Sequence, residues 1–169
     1  MIDPTHMFKH SYGLYIVSSK NEEGAAACLI NTATQVTAEP IQVVISVNKE
    51  NVTCGRIAAS GHFAVTVLDE TADMPFVGRF GFRSSDTFDK FEGLNCATDE
   101  FGDVYTTDHC CGMCACAVRQ TVDAGTHLVF LGEVVETRDL GSEPPMTYSY
   151  YHTTLKGKTP PRAAGYVAE

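Results

Sequence analysis

The period of apolar and polar positions changes several times along the chain, and each change marks an element boundary. Tyr12 to Ser18 and Ala25 to Ile30 carry strand-like apolar runs. Between them Lys20-Asn21-Glu22-Glu23-Gly24 is a polar turn ending in glycine, so the two predict a hairpin. Gln42 to Val47 is rich in β-branched residues and stops at Asn48-Lys49-Glu50-Asn51. Val52 to Ser60 then takes helical spacing and ends at Gly61, so a strand feeds directly into a short helix. Phe63 to Leu68 alternates again, Met74 to Phe80 predicts a second short helix, and Gly81 to Asp86 is polar. Asp89 to Asp108 has weak periodicity and several turn residues, so no element is assigned there. Gly112 to Thr121 and Leu128 to Arg138 return to the strand pattern around Asp123-Ala124-Gly125-Thr126, a second hairpin. The stretch after Pro144-Pro145 is aromatic at first (Tyr148, Tyr150, Tyr151), then basic and proline-containing, which predicts an extended arm.

Many strands, few helices and no regular β-α alternation predict a mainly β fold, an antiparallel barrel that is closed or nearly closed. The 169 residues, 44% hydrophobic and 20% charged, suffice for one domain with its own core, and no repeat or linker divides them. We expect a single domain over 1–169, with 1–7 and 161–169 as extended arms. A formal charge of -9 and a pI near 5.0 repel phosphate backbones and anionic lipid, and only Lys156 to Arg162 offsets this locally, so nucleic acid is not expected as a partner. No apolar run approaches the roughly 20 residues needed to span a bilayer. Met1-Ile2-Asp3-Pro4 lacks the basic-then-apolar order of a signal peptide, and a cytoplasmic protein is expected.

Two polar blocks could carry chemistry. In Val47-Asn48-Lys49-Glu50-Asn51-Val52-Thr53 a strand ends and a helix begins, so unpaired N–H groups, a helix dipole and Lys49 offer a place for a phosphate; equally, Asn51 could simply cap the helix. Asn31-Thr32-Ala33-Thr34-Gln35-Val36-Thr37 is dense in uncharged donors and acceptors, which suits a buried polar heterocycle such as a flavin ring, or a polar edge strand facing water. The seven cysteines include Cys110-Cys111-Gly112-Met113-Cys114-Ala115-Cys116. Strand pattern continues beyond this cluster through Thr121, so no helix follows to activate a C-x-x-C dithiol, and we expect free thiols in a core strand rather than a metal site. Cys110, Cys114 and Cys116 should face one way and Cys111 the other.

Six blocks, in order, together resemble the flavin reductase-like family, with flavoredoxin and the flavin domain of high-molecular-weight rubredoxins nearest in pattern. They are Gly13 to Ser19; Asn31 to Thr37; Val47-Asn48-Lys49 with Asn51 and Thr53; Gly78 to Ser84; Gly125-Thr126-His127 with Phe130 to Val134; and Met146 to Pro160. The resemblance runs from about Phe8 to Tyr166. It implies an FMN-binding split β-barrel (Greek-key, antiparallel), a homodimer with each flavin near the subunit interface, and NAD(P)H as co-substrate. It further implies that Asn31, Thr32, Gln35, Val36 and Thr37 line the isoalloxazine and ribityl chain. Ser46, Asn48, Lys49, Asn51 and Thr53 would hold the phosphate end, with Arg79 or Arg83 assisting. His127 takes the place of the histidine in a Gly-Asp-His motif near flavin and nicotinamide, although Thr126 stands here instead of Asp. The reading is an NAD(P)H-dependent flavin oxidoreductase. The alternatives are an electron carrier reduced by a redox protein partner and a cofactor-free binding module on the same fold.

Overall fold

The computed structural model describes residues 1–166. After a short 3-10 turn at Pro4–Lys9, two strands form the first hairpin, β1 (Tyr15–Asn21) and β2 (Gly24–Ile30), closed by Glu22-Glu23. A second hairpin joins β3 (Ala33–Ala38) to β4 (Ile41–Asn48), which runs into helix α1 (Val52–Ser60). Then follow β5 (His62–Leu68), α2 (Met74–Gly81), and a small hairpin of β6 (Cys96–Thr98) and β7 (Val104–Thr106), where no element had been expected. The long strands β8 (Cys110–Asp123) and β9 (His127–Asp139) form the last hairpin, and α3 (Tyr148–Thr153) closes the chain of elements.

The main sheet has seven strands in the order β2-β1-β5-β8-β9-β4-β3, every neighbouring pair antiparallel. Its edge strands β2 and β3 are consecutive in the chain, linked only by Asn31-Thr32, so three Cα steps of about 3.8 Å bring the two edges together at one end. In a flat sheet with strands about 4.8 Å apart, β2 and β4 would lie about 24 Å from each other. Instead Cys28 and Ile30 of β2, Val17 of β1, Phe63 and Val65 of β5, Cys116 of β8, Phe130 of β9 and Ile45 and Val47 of β4 share one buried cluster with Cys54 and Ile57 of α1. The sheet is therefore curled around α1. Among the described residues no β2–β3 ladder completes it, so of the closed or nearly closed barrel expected the closed form is not found, and the sheet is curled with a seam between its edges.

A second cluster lies on the outer face, where Leu14, Ile16, Ala27 and Leu68 pack against Phe76, Val77 and Phe80 of α2 and Tyr151 of α3. Both faces of β1, β2 and β5 are thus covered, and these strands read as near-continuous apolar runs. The amphipathic helix α2 starts on an Asp73 cap, whose carboxylate accepts from Phe76 N–H at 2.9 Å, and buries Phe76, Val77 and Phe80.

Two expectations are corrected here. The arm after Pro145 is not extended throughout, because Thr147 caps α3 by accepting from Tyr150 N–H and Tyr151 is fully buried. In β8 the register slips at Cys111, with Leu68 opposite Cys110 and Val67 opposite Gly112. That bulge turns Cys110 into the outer cluster, while Cys114 and Cys116 keep a common face with their Sγ atoms 3.9 Å apart. All seven cysteines are free thiols among the described residues.

At its far end α1 stops on Gly61, whose left-handed φ of 78° suits glycine and whose N–H donates to Ile57 at 2.9 Å. Ser19 and Ser60 hydroxyls lie 2.9 Å apart and 2.8 and 3.1 Å from the His62 carbonyl, so their two protons are shared among these three oxygens. His62 Nδ1 lies 2.7 Å from Asp103 Oδ2, its ring stacks on Phe101, and Asp103 Oδ1 accepts from Lys20 N–H at 2.6 Å. Burial pushes the Asp103 carboxyl above the usual carboxylate range, against the opposing pull of His62.

Candidate functional site

The corner between β4 and α1 is a tight turn. Asn48 accepts from Glu50 N–H through its side chain (2.9 Å) and from Asn51 N–H through its carbonyl (3.0 Å). Asn51 stands at the N-cap position of α1 but makes no side-chain cap hydrogen bond, so its amide and the first N–H groups of the helix are not tied to each other. The turn docks on the β8–β9 loop, where Lys49 N–H donates to the Thr126 carbonyl at 3.0 Å and Lys49 Nζ meets Asp123 at 2.6 Å. His127, opposite Asn48 in the β4–β9 ladder, receives or donates a 2.8 Å hydrogen bond at Nδ1 with Thr126 Oγ1. Its Nε2 is buried and has no partner among the described residues, which marks it as a group with unused hydrogen-bonding capacity.

Next to this corner a cleft is lined by Cys28 to Asn31, Asn51, Phe80, Gly81, Tyr148, Tyr151 and, across from them, Pro160, Arg162 and Ala163. Asn31 is 5% exposed; its Oδ1 accepts from Thr32 Oγ1 at 3.0 Å, and its amide N–H2 has no acceptor among the described residues. The segment 157–163 is held over the cleft by α3. Tyr151 OH donates to the Lys158 carbonyl at 2.9 Å, Tyr148 OH and Thr159 Oγ1 meet at 2.7 Å, and His152 Nδ1 lies 2.8 Å from the Gly157 carbonyl. Gly157 lies flat on the Tyr151 ring, where any β-carbon would overlap the ring carbons. With this segment in place the cleft keeps about 30 Å³ of free space, room for a water or two rather than for a nucleotide.

The residues expected to serve the site are only partly brought together. Asn31 and Asn51 face the cleft, and Asn48 and Lys49 form the turn behind it. Thr53 is buried, its hydroxyl against the Cys28 thiol, whose pKa burial pushes up to about 11. Ser46 is half-buried in β4, its N–H 3.4 Å from the Thr32 carbonyl. Gln35, Val36 and Thr37 lie on the exposed edge strand β3, as the polar-edge reading allowed. Gln35 donates to the Thr37 carbonyl and Thr37 to the Pro40 carbonyl, and a bulge falls between Gln35 and Thr37. Arg79 is turned to the carbonyls of Lys90 and Glu92, and Arg83 stacks on Phe88 with its guanidinium carbon 4.3 Å from the ring centre.

Two features escaped the sequence. Arg162, read as part of an arm, lines the cleft, its Nε 3.4 Å from Glu50. Lys90 is buried and clasps the Ala27 and Phe80 carbonyls at 2.7 and 2.9 Å, tying β2 to the end of α2 beneath the cleft; burial lowers its pKa. Arg162 was noted only as part of the basic stretch Lys156 to Arg162, and Lys90 falls in the stretch without periodicity and carried no signal. A second hollow of about 350 Å³, bounded by Ala25 and Ser85 to Phe91, contains Asp86 and Asp89 and is a poor place for an anion.

The flavin reductase like domain model matches residues 7–157. The chain is 39% identical over 165 residues to a ferric-chelate reductase (NAD(P)H) of Archaeoglobus fulgidus, covering 98% of each chain. It is also 39% identical over 153 residues to a high molecular weight rubredoxin of Moorella thermoacetica, covering 90% of this chain and 67% of that one. Among solved structures, the NADH:FAD oxidoreductase of Streptomyces globisporus C-1027 in complex with NAD and FAD fragments shares the fold at a TM-score of 0.74 and 23% identity, over 87% of this chain and 90% of that one. The flavoredoxin of Methanosarcina acetivorans does so at 0.73 and 20%, over 82% and 74%.

Proposed function

The chain belongs to the flavin reductase-like family, and from that premise we propose that it is an NAD(P)H-dependent oxidoreductase that binds FMN at the cleft beside α1, as a homodimeric split barrel. The observation that carries this reading is the pair of amides, Asn31 and Asn51, that meet at the cleft beside the N-terminus of α1. One is buried with free N–H2 protons, and the other is at a cap position without making the cap. Such groups fit the polar edge and the phosphate of a flavin nucleotide, which needs donors on both. Bound flavin would supply the hydride-accepting ring, and the protein supplies its position and shields it from water.

In this reading Asn31 and Thr32, at the seam between β2 and β3, hold the ring edge and ribityl chain, while Asn48, Asn51 and the first turn of α1 hold the phosphate end. His127, whose Nε2 is buried without a partner among the described residues, would serve the nicotinamide side. Val36 and Ile41 on the β3–β4 hairpin and Val122 and Val135 on β8 and β9 are exposed apolar side chains suited to a second copy, against which Gln35 to Thr37 would complete a shared site. The related ferric-chelate reductase, matched over 98% of both chains, favours the reductase. The related high molecular weight rubredoxin supports a second reading, an electron carrier reduced by a protein partner. No helix among the described residues is long and apolar enough to cross a membrane.

The visible spectrum of the purified protein, followed anaerobically after addition of NADH or NADPH, tests this. Flavin that bleaches rapidly supports the reductase, flavin that stays oxidised supports the carrier, and a colourless protein that takes up no added FMN refutes both.

A further inference from the structure

Of the three cations expected to hold a phosphate and the one found lining the cleft, the three expected ones are engaged elsewhere. Lys49 is paired with Asp123 on the β8–β9 loop, Arg79 donates to two backbone carbonyls, and Arg83 stacks on Phe88. Arg162 alone of the four lines the cleft, together with Asn31 and Asn51. Its one ion-pair partner among the described residues is Glu50, at 3.4 Å, and both side chains are open to solvent, 48% and 74% exposed. Asp86 and the buried Lys90 also lie within its electrostatic reach. A single long contact between exposed groups stabilises little and is readily exchanged. Glu50 is part of the same turn that presents Asn51, so the guanidinium rests at the mouth of the cleft.

The segment that carries Arg162 is fastened to α3 before it, and around and after it is held by its own turns, Ala163 N–H donating to the Pro160 carbonyl and Tyr166 N–H to the Ala163 carbonyl. Three hydrogen bonds from α3 fix Gly157, Lys158 and Thr159, and beyond Gly157 no described residue is buried. Pro160 reaches the cleft floor where Gly81 leaves room, a β-carbon there meeting Leu29 at 3.3 Å and Pro160 at 3.8 Å. The cleft closed by this segment is too small for a nucleotide, so binding one there would require the segment to lift.

We propose that Arg162 is the cation that recognises the phosphate of the bound flavin nucleotide, leaving Glu50 to form a forked pair with the phosphate oxygens as the strap closes. The proposal rests on the flavin reading above. The planar fork of arginine donates two parallel hydrogen bonds to a phosphate, which the single oblique contact with Glu50 does not offer. The buried amide of Asn31 and the uncapped Asn51 complete the set of donors facing the same space. Glu50 and Asp86 repel a phosphate there, and Glu50 competes with it directly.

Titration of the flavin-stripped full chain with FMN and with riboflavin, by flavin fluorescence, tests the assignment in the parent, Arg162→Ala, Arg162→Lys and Glu50→Gln. Arg162→Ala should weaken FMN by about tenfold or more while leaving riboflavin within about twofold, and Arg162→Lys should restore part of the difference as a point charge without the fork. Glu50→Gln should tighten FMN and not riboflavin. Unchanged FMN affinity in Arg162→Ala, or equal loss of FMN and riboflavin, overturns the assignment while the flavin reading stands. A parent that binds neither flavin removes the flavin reading and this proposal with it.

Discussion

The nine residues of α1 connect two ends built on opposite lines. At the C-terminal end Gly61, Ser60, Ser19, His62, Asp103 and Lys20 form a network in which hydroxyl, imidazole, carboxylate and backbone groups satisfy one another, with Phe101 stacked over it. At the N-terminal end Asn51 makes no cap and the Asn31 amide has free protons. The ion pairs Lys49–Asp123 and Arg162–Glu50 stand in solvent. The first arrangement holds a helix in place, and the second keeps donors available for something that is not yet there. Polar residues of similar type thus serve stability at one end and binding at the other, and substitutions should separate the two.

The largest effect should come from the saturated end. Asp103→Ala leaves His62 and the Lys20 N–H without their buried partner and should cost about 3 kcal/mol in urea unfolding, with the ratio of FMN to riboflavin affinity unchanged. Asp103→Asn keeps the shape and isolates the charge. Because the folded carboxyl titrates above its usual 3.8, the folded protein holds more protons than the unfolded one in the window just above that value, and the parent loses stability as pH rises through it. Asp103→Asn should flatten that slope, and a parental slope retained in full would mean that the network does not carry it.

At the open end effects should appear in function. His127→Ala should keep FMN yet slow its reduction by NAD(P)H about tenfold, close to 1.4 kcal/mol of barrier, with dithionite reduction unaffected, as read by stopped flow. Asn51→Ala should change unfolding by less than about 0.5 kcal/mol, since no cap hydrogen bond is lost. It should nevertheless weaken FMN by roughly fivefold, close to 1 kcal/mol. Smallest of all, Lys49→Ala removes an exposed pair worth less than about 0.5 kcal/mol and should weaken FMN less than Arg162→Ala does. If Lys49→Ala were the stronger of the two, the phosphate would lie on the β8–β9 side of the corner and not under the chain end.

The elements with a clean period were legible before any coordinates. Val52 to Ser60 is a helix as its spacing and Gly61 require, and the strands of both long hairpins differ from expectation mainly at their ends. The curl of the sheet was not legible, because it depends on which strands pair across the chain and on the two-residue link between β2 and β3, which no local pattern encodes. The facing of Cys110 was misread for a related reason. A bulge at Cys111 breaks the period of two on which the reading relied. Asn31 and Asn51, singled out by residue type, position and family resemblance, line the cleft, whereas the place of Arg162 there was not legible, since it comes from how α3 folds the chain back.

The contact of Gly157 with the Tyr151 ring marks the last buried residue of the described chain. Upstream, a substitution must fit among buried neighbours. Downstream, Lys158 and Thr159 are still tied to α3, and the residues after them, none of them buried among those described, roof the cleft over Leu14, Phe80 and Tyr151. Ligand preference can therefore drift, or be engineered, by exchanging the residues after Thr159, while the seven-stranded scaffold beneath stays as it is.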